Sequence, residues 1–244
     1  MPAEPRREPI IMLPPVIVVL GGAMLLIEAL SAFVLNEMQQ VNLLIWLGFI
    51  PARLIAPDQF PGGLLPLLWT PLTYDFLHAG WEHVLGNVIW LVIFGTPVAR
   101  RYGTVPTLVI FFVSSLVGAI AFAISEFNSV AYLVGASGGI AGLTGAAVRF
   151  IFQPVLMGTD PETGAPVPLG RHMATIREML RSPAARTFSI IWVVINCLVP
   201  LAPLLIGESA DIAWQAHLGG FFTGLFLVPF FEHPHVEEAP PPTA

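Results

Sequence analysis

Residues Gly135–Phe150 read GASGGIAGLTGAAVRF, a run of small and apolar residues with no charge before Arg149. Within its first half, Gly135–Gly142, the one side chain able to become a strong nucleophile is Ser137. Two readings compete. In the first, Ser137 is a hydroxyl tolerated at a helix start among glycines that let a neighbouring helix approach. In the second it is the reactive centre of an enzyme working inside a membrane.

The rest of the chain makes the membrane setting the stronger one. Of 244 residues, 55% are hydrophobic and 11% charged, with a mean hydropathy of +0.78. Soluble domains carry about 25% charged residues, so this composition points to a polytopic membrane protein. A membrane helix needs about 20 mostly apolar residues. Six segments meet that requirement, at 10–35, 77–98, 105–124, 132–150, 187–206 and 212–231. No cleavable signal peptide is expected, because the first apolar run is too long and has no processing site. The single cysteine, Cys197, excludes an internal disulfide and a cysteine-based metal site. Between the first two segments lies a long connection, 36–76, apolar in parts and broken by Pro and Gly. It reads as an interfacial or re-entrant element. The stretch 153–186 is polar, with a turn at TDPETGAP and a short helix at MATIREMLR. No internal repeat is visible, which argues against a transporter built from symmetric halves.

All ten basic residues are arginine. With six spans, Arg6, Arg7, Arg100, Arg101, Arg149, Arg171, Arg177, Arg181 and Arg186 share one side, and Arg53 alone falls on the other. The positive-inside rule therefore predicts cytoplasmic termini. Ser137 then starts a descending helix near the opposite face.

Ionisable and strongly polar side chains in a membrane core are candidates for function. His83 and Asn87 are four residues apart in HVLGN and share a helix face. His217 lies in the last apolar segment, in AHLGGFFTG. A serine nucleophile needs a base within hydrogen-bond reach, and imidazole suits that role near neutrality. His83 and His217 are the candidates at membrane depth. Donors for a developing oxyanion could come from Asn87, His83 and the Ser137 backbone N–H. Asp211 sits six residues before His217, on another face, so a Ser137–His217 pair without a carboxylate is expected. Gly138/Gly142 and Gly220/Gly224 form two GxxxG pairs, which allow close helix approach. Each signal alone also fits packing or an interhelical hydrogen bond.

Taken together, the motifs resemble those of the rhomboid family of intramembrane serine proteases. GASG (Gly135–Gly138) is similar to the family's GxSG nucleophile motif, and AHLGG (Ala216–Gly220) to its AHxxG histidine motif. HAGWEHVLGN (His78–Asn87) resembles the second-helix signature, preceded by WTPLTYDFLHAG from the first loop. The resemblance implies an all-α membrane protein, a six-transmembrane-helix bundle with a long first loop. Ser137 would be the nucleophile and His217 the general base, with His83, Asn87 and Ser137 at the oxyanion. A mobile loop before the sixth span would roof the site and the fifth span would gate it. Three positions depart from the family pattern. Thr70 follows Trp69 where arginine is frequent, Ala99 stands in place of a glutamate, and Ala141 in place of an aromatic. Glu28 matches no motif.

The expected organisation is a short cytoplasmic N-terminus (1–9), a membrane domain (10–231) and a disordered cytoplasmic tail (232–244). Expected partners are transmembrane protein substrates and the lipid bilayer. No cofactor, metal or nucleic acid is expected, and the sequence is silent on oligomeric state. The expected address is a bacterial plasma membrane. The alternative is a catalytically inactive rhomboid-like protein that binds membrane clients; such relatives typically lose the serine or the histidine, and this chain keeps both.

Overall fold

The computed structural model describes residues 13–127, 131–160, 163–198 and 212–232. The expected N-terminal segment 1–9, all of the expected tail except Glu232, and the loop before the sixth apolar segment (199–211, with Asp211) lie outside these residues.

The described chain is mainly helical. Three helices are long and apolar enough to cross a membrane: α1 (Pro15–Phe33), α3 (Trp81–Tyr102) and α4 (Thr104–Ser125). A shorter helix, α2 (Glu37–Leu47), lies in the first loop between α1 and α3. Helices α5 (Ser137–Ile151), α7 (Pro183–Leu198) and α8 (Trp214–Leu227) are also shorter, and occupy the fourth, fifth and sixth apolar segments. A two-turn helix, α6 (Ile176–Arg181), precedes α7.

Local sequence accounts for the boundaries. α1 opens on Pro15, whose missing N–H is no loss in a first turn. Asn36 and Gln39 form a reciprocal capping box that starts α2. Inside α3 the ladder widens to a π-helical stretch at Leu91–Gly95, just before Pro97. Proline has no N–H to donate, and the widened turn absorbs that break without ending the helix. Gly103, at φ 80°, then breaks the chain between α3 and α4.

One expectation changes in detail. The chain is not wholly α-helical, because the polar segment contains an antiparallel ribbon, β1 (Val155–Thr159) with β2 (Pro166–Arg171). Its valines, Leu156 and Thr159 favour strand, and Asp160 and Gly164 supply the turn. The short helix expected at MATIREMLR is present as α6, started by a Thr175/Glu178 capping box. In the first loop, α2 is followed by short 3₁₀ turns at Pro51–Leu54, Pro57–Gln59, Leu65–Leu68 and Tyr74–Phe76. Each of the first three carries a proline in its first two positions, where its missing N–H is no loss.

At the centre stands α5, buried from Gly138 to Phe150. Its closest neighbour is α8, which also packs on α4. Glycines make that packing possible. A Cβ on Gly224 would collide with the Gly142 carbonyl, and one on Gly220 with the Gly138 carbonyl. On the opposing helix, a Cβ on Gly142 would strike Ser114 of α4 and lie 3.2 Å from the Gly220 carbonyl. A Cβ on Gly138 would lie 3.2 Å from the Tyr74 hydroxyl.

The arginines counted for orientation also close one end of the bundle. Buried Arg149 donates to the carbonyls of Ala174 (2.6 Å) and Leu225 (2.8 Å), tying α5 to the α6 approach and to α8. Arg101 donates to the Arg171 carbonyl (2.6 Å) and pairs with Glu232 (2.5 Å), which also accepts from the Tyr102 hydroxyl.

Candidate active site

The approach to Ser137 is fixed before the helix begins. Leu133 pairs with Phe49 of the first loop through two backbone hydrogen bonds, and Gly135 N–H donates to the Tyr74 carbonyl (3.0 Å). Gly135 has φ 109°, a conformation that L side chains rarely adopt. A Cβ there would also lie 2.6 Å from His83 Nε2, so glycine is required twice over. Ser137 is then the first residue of α5. The first N–H groups of a helix lack intrahelical acceptors and carry the positive end of its dipole, so they are open to a negative charge.

His217 lies in the first turn of α8. Its Nε2 is 2.8 Å from Ser137 Oγ. The close approach of α8 to α5, built on Gly138, Gly142, Gly220 and Gly224, thus delivers an imidazole to a hydroxyl eighty positions away in sequence. The other ring nitrogen, Nδ1, is 2.8 Å from Asn196 Oδ1 on α7.

On α3, His83 and Asn87 share a face as their spacing requires, and both lie close to Gly135, two residues before Ser137. The Ala79 N–H donates to His83 Nδ1 (3.3 Å), which leaves the ring proton on Nε2, the atom turned towards Gly135. Asn87 is buried and spends one amide hydrogen on the His83 carbonyl (3.1 Å). Its Nδ2 lies 3.6 Å from where a Gly135 Cβ would be. Its second amide hydrogen remains for another acceptor.

Ser137, His217, Asn87 and Asn196 line the polar part of a cavity of about 320 Å³. Apolar side chains complete it, among them Trp90 of α3, Ile140 of α5 and Ile191 and Trp192 of α7. A hydroxyl–imidazole pair at the edge of such a cavity is suited to nucleophilic attack on an extended, apolar chain. Among the described residues no group of three or more His, Cys, Asp or Glu side chains is placed to hold a metal.

The rhomboid domain family model matches residues 66–233, more than half of the chain, and its span runs from the first loop through both motifs. The chain belongs to the rhomboid family. With three helices able to cross a bilayer, this rhomboid-family chain is an integral membrane protein. The family acts on membrane-protein substrates within the bilayer. Rhomboid-related protein 2 of Mus musculus is 31% identical over 77 residues, covering 32% of this chain and 25% of that protein. RHOMBOID-like protein 1 of Arabidopsis thaliana is 27% identical over 161 residues, covering 66% of this chain and 33% of the relative. Rhomboid-related protein 3 of Homo sapiens is 32% identical over 79 residues, covering 32% and 19%. The matched region thus spans a third or less of each of these relatives.

Three features of the site escape sequence reasoning. Asn196 carries a signal, an amide in an otherwise apolar segment, but its partner is twenty-one residues away and the contact depends on helix packing. Asp75 and Ser115, fully buried and joined at 2.8 Å, come from the first loop and from α4; Asp75 lies inside the WTPLTYDFLHAG stretch, where the resemblance assigns it no role, and Ser115 lies in no quoted motif. Arg53, the lone arginine of the first loop, is fully buried. It donates to the carbonyls of Ile45 (2.7 Å), Pro61 (2.7 Å) and Gly63 (3.0 Å). It braces the loop although no arginine follows Trp69. That indole instead donates to the Trp46 carbonyl at 2.7 Å.

Proposed function

We propose that this chain is an intramembrane serine endopeptidase that cleaves transmembrane segments of other membrane proteins. The observation that carries the reading is the 2.8 Å contact between Ser137 Oγ and His217 Nε2 at the wall of a largely apolar cavity. In the proposed reaction His217 Nε2 takes the hydroxyl proton as Ser137 Oγ bonds to the scissile carbonyl carbon. The carbonyl oxygen becomes an anion facing the Ser137 N–H, the Asn87 amide and His83 Nε2–H. Collapse of this intermediate breaks the C–N bond, with His217 giving its proton to the leaving amine. Water then repeats the sequence on the acyl-enzyme. A substrate backbone bonded within a helix must unwind first, so helix-weakening residues near the cut lower the barrier.

The same reading places the chain in a bilayer with six spans, α1, α3, α4, α5, α7 and α8, and with both termini cytoplasmic. A bacterial plasma membrane is the proposed address. α5 and α8, each short of a full bilayer width, would need their flanking residues or a locally thinned membrane to cross.

The test is reconstitution in liposomes with a single-span substrate. Wild type should cleave, and Ser137→Ala and His217→Ala should each lose roughly 10³-fold or more. A fluorophosphonate probe should label Ser137 in wild type and not in His217→Ala. Cleavage that survives Ser137→Ala would refute the assignment.

A further inference from the structure

We infer that Asn196 is a positioning residue for the base, holding His217 in the one tautomer able to accept the Ser137 proton. The inference rests on the serine protease reading above. Its starting point is the orientation of the Asn196 amide. Nδ2 donates to the Trp192 carbonyl at 2.8 Å, one turn back in α7. A carbonyl oxygen accepts only, so this contact must hold the nitrogen end, and Oδ1 faces His217. Oδ1 also accepts only. At 2.8 Å from His217 Nδ1 it therefore requires the ring proton on Nδ1. A neutral imidazole protonated at Nδ1 presents a lone pair at Nε2, 2.8 Å from Ser137 Oγ.

The chain Trp192 carbonyl, Asn196 amide, His217 ring, Ser137 hydroxyl thus runs in one direction, with each donor matched to an acceptor. The amide does what an orienting carboxylate does in other serine hydrolases, without placing a charge at membrane depth. It also fills a gap left by α5, because residue 141, which follows Ser137 by one helical turn and lines the same cavity, is alanine and has no side chain to hold the ring.

The placement of Asn196 on α7 has a consequence. α7 is the least buried of the helices bordering the cavity. Only Ala185, Ser189 and Asn196 are buried on it, while Ile190, Val194 and Leu198 are exposed and Ile191 and Ile195 border the open cavity. Besides the Asn196 contact, the stacking of Trp192 on Phe221 (4.5 Å between ring centroids) joins it to α8. The base is therefore correctly oriented only while α7 lies against α8. If α7 swings away, His217 loses its tautomer restraint.

The experiment compares Asn196→Ala, Asn196→Leu and Asn196→Asp with wild type, each full length in liposomes with a single-span substrate. Asn196→Ala and Asn196→Leu should lower kcat on the order of 10- to 100-fold, with KM within about 2-fold because both ends of the amide, although it borders the cavity, are engaged by Trp192 and His217. Asn196→Asp keeps the acceptor and adds a negative charge that stabilises the imidazolium. It should retain more kcat than the alanine variant, and the acid limb of its pH–kcat profile should move to higher pH. A merely structural role would leave that limb in place. In parallel, ¹⁵N spectra of imidazole-labelled wild type in bilayers should show His217 protonated at Nδ1, and Asn196→Ala should lose that fixed tautomer. Wild-type kcat in both apolar variants, an unmoved acid limb in Asn196→Asp, or an Nε2–H tautomer in wild type would each overturn the inference. If instead Ser137→Ala still cleaves, the protease reading fails, and the spectra still decide the tautomer independently.

Discussion

Gly118 of α4 offers a direct test of how tightly the base is placed. It faces the first turn of α8, where a Cβ would lie 2.7 Å from the Ala216 carbonyl oxygen, 3.3 Å from its Cα and 3.4 Å from its carbonyl carbon. These are backbone atoms, so no side chain can rotate away. Ordinary contact begins at about 3.4–3.5 Å, so Gly118→Ala requires α8 to retreat by ~0.7 Å at the residue beside His217. Retreat is limited on the other flank, where Gly220 already abuts the Gly138 carbonyl. Overpacking of this kind costs about 1–3 kcal/mol of stability. The Ser137–His217 contact, at 2.8 Å, has little room to lengthen before it stops being a hydrogen bond. A misplacement near 1 Å is enough to cost on the order of 100-fold in rate, so kcat should fall by roughly 10- to 100-fold. The assay is cleavage of a single-span substrate in liposomes, with thermal unfolding in detergent as the check on folding. Gly22→Ala is the control, since a Cβ at that position in α1 meets nothing within 4 Å. If Gly118→Ala stays folded and turns over at the wild-type rate, α4 does not set the position of the base.

Two further predictions concern the loop and the polar end. Replacing Arg53 by methionine removes the donor from three part-buried carbonyls and should cost about 1–3 kcal/mol, read as a lower Tm and faster proteolysis between α2 and α3. Retention of the wild-type Tm would refute the bracing role. At the start of α6, the Thr175 N–H and hydroxyl, with His172, hold the Glu178 carboxyl well below its ordinary value, at about 2. A lowered value in the folded state means the capping box stabilises α6 above the carboxylate's ordinary pKa and weakens as pH falls from there towards 2. Amide exchange at Glu178 and Met179 should therefore speed up over that acid range, and Glu178→Gln should remove the dependence.

The helical segments are legible because membrane helices announce themselves by length and apolarity, and α1, α3 and α4 do so without ambiguity. The boundaries of the remaining three are not. The segment expected from residue 132 becomes helix only at Ser137, because the Leu133–Phe49 bridge and the Gly135 turn precede it. The ribbon at Val155–Arg171 is hidden because its strands alternate poorly and lie exposed. In the site, Ser137, His217, His83 and Asn87 can be singled out as polar groups at depth. Asn196 has the same credential, but its role depends on which way α7 faces. Position along the chain assigns Arg53 and Asp75 to the outward side, yet both are fully buried. A charge count along a sequence bears on orientation and says little about burial.

The hidden residues share a logic that centres on α4. Ser115 and Gly118 are three apart, on one face of that helix. Ser115 donates its hydroxyl to Asp75, and its carbonyl accepts from the Tyr74 hydroxyl (2.9 Å). The Tyr74 carbonyl in turn accepts from Gly135 N–H, two residues before Ser137. Gly118, one turn further on, touches Ala216, the residue before His217. The same face of α4 therefore holds the Ser137 turn through a polar network and the His217 helix through a glycine contact. The two sides of the Ser137–His217 contact are registered to a common rigid element, not merely to each other. That explains why a buried carboxyl is retained at Asp75 despite its desolvation cost. It pins the first loop to α4 at the depth where Gly135 must be held.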